Sequence, residues 1–309
     1  MQGEKRDIII SDLLLLLVAA IWGFGFVAQR AGMESVGPYT YNGIRFLLGS
    51  LCLVPLSRKN AVLSPTAWNQ AIPPHQRIRP LAGGLIAGVI LFGGATLQQL
   101  GLQYTTAGKA GFITGLYVVL VPILGLFMGQ RTNRGTWIGA VSAAVGLYFL
   151  SVPESLEINP GDILVTAGAL FWAIHVLALS WLSPRTNAIR LAMIQFAVCG
   201  LFSLCIGLVI EEITLHGIRQ AAIPILYGGV CSVGVGYTLQ VVVQQKAHPA
   251  HAAILLSLET VFGALGGWLL LDEHLTFRAI YGCGFMLCGM LISQLWPPPA
   301  GKEVQTKIE

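Results

Sequence analysis

The chain has 309 residues, of which 55% are hydrophobic and only 10% are charged. Soluble domains carry roughly 25% charged residues, so this composition excludes an ordinary soluble protein and indicates a polytopic membrane protein. The net charge of +4 is small and spread along the chain, which argues against nucleic acid as a partner. The six cysteines lie in apolar segments without CxxC spacing, so we expect neither disulfides nor a metal site.

Ten apolar segments follow one another along the chain, with lengths suited to crossing ~30 Å of hydrocarbon as helices that rise ~1.5 Å per residue. They cover residues 8–30, 38–56, 81–103, 108–129, 135–152, 161–182, 188–210, 221–245, 250–271 and 276–296. None alternates at a period of two, which excludes a membrane β-barrel. We predict an all-α membrane protein of ten transmembrane helices, with a polar loop at 57–80 and a polar cytoplasmic tail at 297–309.

Lysine and arginine fall unevenly on the two sides of this predicted bundle. Thirteen lie on the side that holds both termini, four lie on the other side, and Arg45 lies within a span. Because cytoplasmic loops are enriched in basic residues, the asymmetry predicts that both termini are cytoplasmic. We therefore expect a multi-pass protein of the plasma membrane, which in a bacterium is the inner membrane.

The second half of the chain repeats features of the first half at separations of 142 to 150 residues. The matched pairs are Asp12 with Asp162, Trp22 with Trp172, Gln98 with Gln240, Gly139 with Gly282 and Gly146 with Gly289. Five helices are thus followed by five related helices, and because five is odd the two copies enter the membrane from opposite sides. We predict two inverted repeats, residues 1–152 and 153–296, with a site at their interface. Such repeats are typical of transporters that work by alternating access.

The ninth apolar segment contains a single carboxylate, Glu259. An acid at the depth of the bilayer centre costs roughly 2.5–3.5 kcal/mol on insertion scales, and such residues usually face the bundle interior or a watery cavity. Glu259 is therefore either a structural carboxylate satisfied by a neighbouring group or part of the path of a solute or proton.

Arg45 is a second ionisable residue within an apolar segment. In the repeat it aligns with Gln195, and Tyr117 aligns with Glu259, so one half supplies a buried base and the other a buried acid. The two charges are predicted to lie at similar depths and to pair directly or through a substrate, unless Arg45 snorkels to the interface instead. If the two are close, Glu259 stays ionised; if they are far apart, Glu259 becomes a candidate proton carrier.

Aromatic and amide residues are further candidates for the wall of a binding cavity. They are Trp22, Gln98, Tyr117, Trp172, His175, Tyr237 and Gln240. The two tryptophans occupy equivalent repeat positions, so they either line a shared cavity or pack in the core. The two glutamines either contact a solute or bond between helices. His175 is either a cavity residue or a satisfied core histidine.

Three long motifs carry a resemblance to a known family. They are WGFGFVAQRAGMESVGPYTYNGIRFLLGSL, AGKAGFITGLYVVLVPILGL and GYTLQVVVQQKAHPAHAAILLSLETVFGALGGWLLLDE. Together they resemble the EamA-type transporters of the drug/metabolite transporter superfamily, and the similarity extends over about residues 10–295. The resemblance implies ten helices in two inverted repeats around a central cavity, and export of amino acids or other small metabolites.

We therefore expect a secondary transporter rather than an enzyme, driven by the gradient of its solute or by proton exchange. The sequence contains no GxxxxGK[ST] motif for ATP, and no cofactor is predicted. The expected partners are a small solute, the lipid bilayer and protons, with the oligomeric state left open. A non-transporting receptor or scaffold, or an intramembrane enzyme, is the alternative function.

Overall fold

The computed structural model describes residues 2–58, 76–105, 107–130, 132–151, 160–270 and 276–296. Every regular element in these stretches is helical. The predicted tail at 297–309 and most of the predicted loop at 57–80 lie outside the described residues.

The helices follow the predicted segments closely, with two of the segments broken by single residues and one by a π-helix. They are α1 (Gln2–Met33), α2 (Pro38–Arg58), α3 (Pro80–Gly101), α4 (Ala107–Gly115), α5 (Tyr117–Phe127), α6 (Arg134–Ser151), α7 (Pro160–Leu182), α8 (Ala188–Ile210), α9 (Leu215–Gln220), α10 (Ala222–Leu226), α11 (Thr238–Val243), α12 (Pro249–Ser257), α13 (Glu259–Leu270) and α14 (Phe277–Leu295). A π-helix spans Tyr227–Tyr237 between α10 and α11, and a short 3₁₀ turn at Ser183–Arg185 follows α7.

Apolar side chains cover the outside of the bundle, while polar side chains are held inside it. Leu85, Leu126 and Leu208 are exposed, whereas Gln195 and Gln240 are buried. Soluble proteins show the reverse, with apolar side chains inside and polar side chains outside. The observed pattern fits a lipid environment, in which polar groups must find partners within the protein. Seven helical stretches of the described chain are long and apolar enough to cross a membrane. The protein is therefore a multi-pass membrane protein, and the full count of ten spans stays a prediction.

Helices α6 and α14 pack against each other through glycines. A Cβ on Gly139 would lie 2.6 Å from the carbonyl oxygen of Gly289, and a Cβ on Gly289 would lie 2.6 Å from that of Gly139. Gly146 has the same relation to Gly282, at 2.6 Å. Rising residue numbers in α6 therefore meet falling numbers in α14, so the two helices cross in antiparallel fashion. Glycine permits this close approach of backbones in lipid.

Helices α2 and α8 are also in close contact, and each helix provides a backbone carbonyl oxygen that a residue of the other helix approaches. The hydroxyl of Ser50 donates to the carbonyl oxygen of Met193 at 2.8 Å. A Cβ on Gly200 would lie 3.1 Å from the carbonyl oxygen of Gly43. These contacts fix the helix that carries Arg45 against the second half of the chain.

The first turn of α2 is capped by a carboxylate from the end of α8. The backbone N–H groups of Tyr39 and Thr40 donate to the two oxygens of Glu211, at 2.8 and 2.7 Å. A carboxylate satisfies N–H groups that have no partner within the helix, and it complements the helix dipole. Glu211 thus ties the two halves of the chain together at this end of α2.

Two predicted spans are broken at equivalent places. Helices α4 and α12 each have nine residues, and each is followed by one leucine, Leu116 or Leu258, before the next helix begins. At both breaks the leucine N–H bonds three residues back, at 3.2 Å, instead of four. This local tightening marks a bend. As a result Tyr117 and Glu259 each stand at the first position of a new helix.

Candidate functional site

The breaks, α1, α2 and the π-helix surround one cavity of the bundle, with about 470 Å³ of atom-free space when its open mouth is counted. Its wall is formed by Trp22, Phe26, Gln29, Arg45, Gln98, Thr114, Tyr117, Trp172, Val176, Ser232, Tyr237, Gln240, Leu256 and Glu259. Of the nine residues singled out from the sequence, only His175 is missing from this wall. Both halves of the chain contribute to it.

Glu259 is 4% exposed and opens helix α13. The phenol of Tyr117 donates to its Oε1 at 3.3 Å, and the two residues are 142 positions apart. Within the described part of the chain, no basic group lies within 4.0 Å of this carboxylate. Its position at the start of a helix is favourable for a negative charge. The acid therefore faces the cavity with one neutral partner and with oxygen sites left for a ligand.

Arg45 is 2% exposed and lines the same cavity. Its Nε donates to Oδ1 of Asn42 at 3.0 Å, and the amide of Asn42 in turn donates to the carbonyl oxygen of Ala95 at 3.1 Å. The guanidinium carbon lies 4.8 Å from the ring centroid of Phe46 and 5.4 Å from that of Tyr41. These rings stabilise the cation through their π-faces but leave its terminal N–H groups available. Arg45 does not snorkel to the interface.

Three aromatic rings form one wall of the cavity. The centroids of Trp22 and Tyr237 are 4.5 Å apart, and Trp172 stacks on Tyr237 at 5.9 Å with an interplanar angle of 24°. Trp22 also donates from Nε1 to the carbonyl oxygen of Ser232 at 3.4 Å. The π-helix supplies this carbonyl, so its backbone takes part in holding the ring.

Amide side chains form a polar part of the wall, next to the aromatic rings. Gln98 accepts from the indole N–H of Trp172 at 2.8 Å and from the hydroxyl of Thr114 at 3.5 Å. Its own amide donates to Gln29 at 3.2 Å. By contrast, Oε1 of Gln240, its counterpart in the predicted repeat, is buried and has no hydrogen-bond partner among the described residues. Gln98 is thus occupied by the protein, and Gln240 presents an open acceptor.

His175 is fully buried one layer behind the cavity wall. Its Nε2 lies 3.0 Å from Oε1 of Gln195, the repeat counterpart of Arg45. Because an amide oxygen can only accept, Nε2 carries the proton in this contact. The ring also packs edge-on against Trp172 and Tyr237, at 6.1 and 6.5 Å. The structure therefore places His175 as support for the aromatic wall rather than as part of its surface.

Six cavity residues were not among those discussed from the sequence. Phe26 and Gln29 share a helical face with Trp22, at i+4 and i+7, and the other four are Thr114, Val176, Ser232 and Leu256. Each of these four is an ordinary residue type for a membrane helix, so its identity gives no sign of a role. Only the period of each helix, anchored on a neighbour such as Trp172 or Glu259, could have placed Val176 or Leu256 on the cavity side.

Comparison with known proteins identifies the family. The model of the EamA-like transporter family matches residues 9–152 and again residues 159–294. The chain belongs to the EamA-like transporter family. It is a membrane transporter and not an enzyme.

Several relatives of this transporter are known by sequence. A protein named only as an uncharacterized transporter of Archaeoglobus fulgidus is 32% identical over 95% of this chain and 88% of its own length. The uncharacterized transporter YoaV of Bacillus subtilis is 22% identical over 90% of this chain and 94% of its own. The uncharacterized inner membrane transporter YedA of Escherichia coli is 25% identical over 52% of this chain and 49% of its own.

A solved crystal structure of a protein is similar to this EamA-like transporter, with a TM-score of 0.70. The match covers 91% of this chain and 96% of the other, at 15% sequence identity. At that identity the likeness shows the fold alone.

Proposed function

We propose that this EamA-like transporter exports small zwitterionic metabolites, such as amino acids, by alternating access. Two inverted halves, residues 1–152 and 153–296, alternate around the central cavity. The gradient of the solute or an exchange for protons drives the cycle, and Glu259 is the candidate proton carrier within the cavity.

The observation that carries this proposal is the pair of opposite charges in one cavity. Arg45 and Glu259 are almost fully buried, line the same wall and make no ion pair with each other within 4.0 Å. A buried ion without a counterion costs several kcal/mol. A solute that brings a carboxylate to Arg45 and an ammonium group to Glu259 would relieve both costs together, while its side chain contacts the aromatic wall.

The repeat geometry supports alternating access. In the predicted repeat, residue 139 corresponds to residue 282, and residue 146 corresponds to residue 289. Exchanging the two halves then turns the contact of Gly139 with Gly289 into the contact of Gly282 with Gly146. Both contacts occur at 2.6 Å. Contacts that map onto each other in this way are expected for two halves related by a pseudo-two-fold axis and support the proposed repeat. The two separate matches to the family model also support a duplicated chain.

The proposed location is the inner membrane of a bacterium, with both termini in the cytoplasm. The distribution of thirteen basic residues on the terminal side against four on the other supports this orientation. The name of the relative YedA, an inner membrane transporter, supports the location.

The test begins with purified protein and a library of metabolites. Ligands of the folded state raise its melting temperature, and the best of them are then assayed in radiolabelled form. Inside-out membrane vesicles should accumulate a zwitterionic solute, while vesicles without the protein should not. Movement of neutral solutes or of hydrophobic cations alone would overturn the proposed substrate class. Binding without any movement would favour the receptor alternative.

A further inference from the structure

A second polar cluster joins the two halves of the chain away from the central cavity. His251 of α12 lies between Asp12 of α1 and Ser293 of α14. Its Nε2 is 3.0 Å from Oδ1 of Asp12, and its Nδ1 is 3.0 Å from the hydroxyl oxygen of Ser293. The side chains of His251 and Asp12 are 19% and 14% exposed, so neither is sealed inside the bundle.

The geometry of this cluster accommodates both protonation states of the imidazole. In the neutral ring, Nε2–H donates to the carboxylate of Asp12 and Nδ1 accepts from the hydroxyl of Ser293. When a proton from water adds to Nδ1, that N–H donates to the same hydroxyl oxygen, which needs only to rotate its own hydrogen. The carboxylate of Asp12 then balances the imidazolium charge. No packing has to change for the proton to bind or leave.

Other titratable groups around α12 do not compete for this position. Burial, and then the nearby His251, lower the pKa of His248, which lies in the turn before α12. The helices α5, α6 and α7 also pack against α12. Their titratable groups are engaged or placed elsewhere: Tyr117 bonds Glu259, Asp162 bonds Thr105, His175 bonds Gln195, and Arg134 is exposed.

The repeat shows that this position differs between the halves. The offset of 150 residues that matches Trp22 with Trp172 also matches Asp12 with Asp162. The offset of 142 residues that matches Gln98 with Gln240 also matches Lys109 with His251. One half therefore has a lysine, which is charged at all physiological pH values. The other half has histidine, the residue that changes charge between about pH 5 and 8.

We propose that Asp12, His251 and Ser293 form a proton-binding site that ties α1 to α12 and α14, and does so more tightly when His251 is protonated. His251 lies in α12, and Glu259 opens α13 eight residues later, ~12 Å along the helix axis. The site thus lies on the short helix that directly precedes the acid of the cavity. An effect of this site on transport rests on the proposed function, whereas the binding of the proton does not depend on that function.

The test is a double-mutant cycle on solute-free, full-length protein in nanodiscs. Thermal unfolding is measured at pH 6 and pH 8.5, which lie on either side of the ordinary histidine pKa of ~6.5. At pH 6, Asp12→Asn and His251→Gln should each lower the melting temperature by about 2–4 °C, and the double variant should fall no further than one single variant. At pH 8.5 this coupling should shrink to less than half. His216→Gln, at an exposed histidine, should show no coupling with Asp12→Asn.

His251→Lys sharpens the test, because it installs the residue found at the corresponding repeat position. Its coupling with Asp12→Asn should be equal at the two pH values. If variants at Asp12 unfold, the ring ¹⁵N signals of His251 in native labelled protein, identified by their loss in His251→Lys, should still move between pH 6 and 8.5. Equal coupling at both pH values in the native background, or ring signals that do not move, would overturn the proton site. Absence of transport by the native protein would instead overturn the proposed function alone.

Discussion

At the scale of single residues, the cavity contains Arg45 and Glu259, for which no ion-pair partner lies within 4.0 Å among the described residues. Glu259 accepts one hydrogen bond, from Tyr117, and Arg45 donates through Nε to Asn42. Each is held in place by neutral neighbours, so under the proposed function its position is fixed before a ligand of opposite charge binds. Such preorganisation lowers the cost of ordering the site when a solute binds.

Glu259→Gln should reduce transport by at least about tenfold or abolish its dependence on pH, because it removes the charge and the titratable oxygen at nearly constant volume. The helix should remain inserted, since an amide is less costly than an acid in the membrane. Initial rates of uptake into inside-out vesicles across pH 6–8.5 provide the measurement. Glu212→Gln, at an exposed glutamate, should transport normally. A native rate and pH profile in Glu259→Gln would make Glu259 a structural residue.

Arg45→Met should separate binding from stability. The thioether chain fills the space of the arginine stem, and removing a buried charge without a counterion should leave the melting temperature unchanged or higher. Affinity for a carboxylate-bearing solute should fall by at least about tenfold, since a charge-assisted bond of ~1.5–3 kcal/mol is lost. Titration calorimetry and thermal unfolding report the two quantities. The matched control is Arg219→Met at an exposed arginine. Unchanged affinity would remove Arg45 from the binding site.

The sequence reveals these residues because charge in an apolar span is costly and therefore conspicuous. It reveals Trp22 and Gln98 because each recurs at its repeat position. It does not reveal Ser232, whose contribution is a backbone carbonyl bonded to the indole of Trp22. Nor does it show that His175 lies behind the cavity wall, because the same face of a helix can carry residues that line the cavity and residues that are buried one layer behind it.

At the scale of elements, the spans themselves follow from composition, but their irregularities do not. The break at Leu116 follows a glycine and the break at Leu258 follows a serine, and both leucines are ordinary residues for a continuous helix. The π-helix at Tyr227–Tyr237 lies within a glycine-rich run that is also compatible with an α-helix. These features depend on packing against the other half of the chain, which local sequence does not specify. Breaks and π-helices are frequent at functional sites of membrane proteins.

The π-helix gives a test of this point at Gly236. A Cβ there would lie 2.8 Å from Nε1 of Trp22, so Gly236→Ala should displace the ring that lines the cavity. We expect a fall in solute affinity of roughly tenfold, the loss expected for a displaced contact of ~1.4 kcal/mol. The matched control is Gly284→Ala, because a Cβ on Gly284 meets nothing within 4 Å. Binding of the solute to both purified variants is the measurement, and equal affinities would show that the Trp22 position is not critical.

At the scale of the whole molecule, orientation in the membrane follows from the basic residues and is testable by labelling. Cysteine introduced at the exposed Glu212 should react with a membrane-impermeant maleimide in intact cells. Cysteine introduced at Asn69, which lies outside the described residues, should react only after the cells are opened. A cysteine-free background is needed because the chain has six native cysteines. Labelling at position 69 in intact cells would invert the orientation and, with it, the proposed direction of export.

The hydrogen bond from Tyr117 to Glu259 has a consequence for the ancestry of the chain. In the proposed repeat, residues 117 and 259 are counterparts, so this bond joins a position to its own copy across the pseudo-two-fold axis. A homodimer of one ancestral half would have placed the same side chain on both sides of that axis. Two glutamates there would repel each other, and two tyrosines would offer no acid. If the repeat arose by duplication, a single carboxylate that faces a tyrosine requires that the two copies diverged at this position.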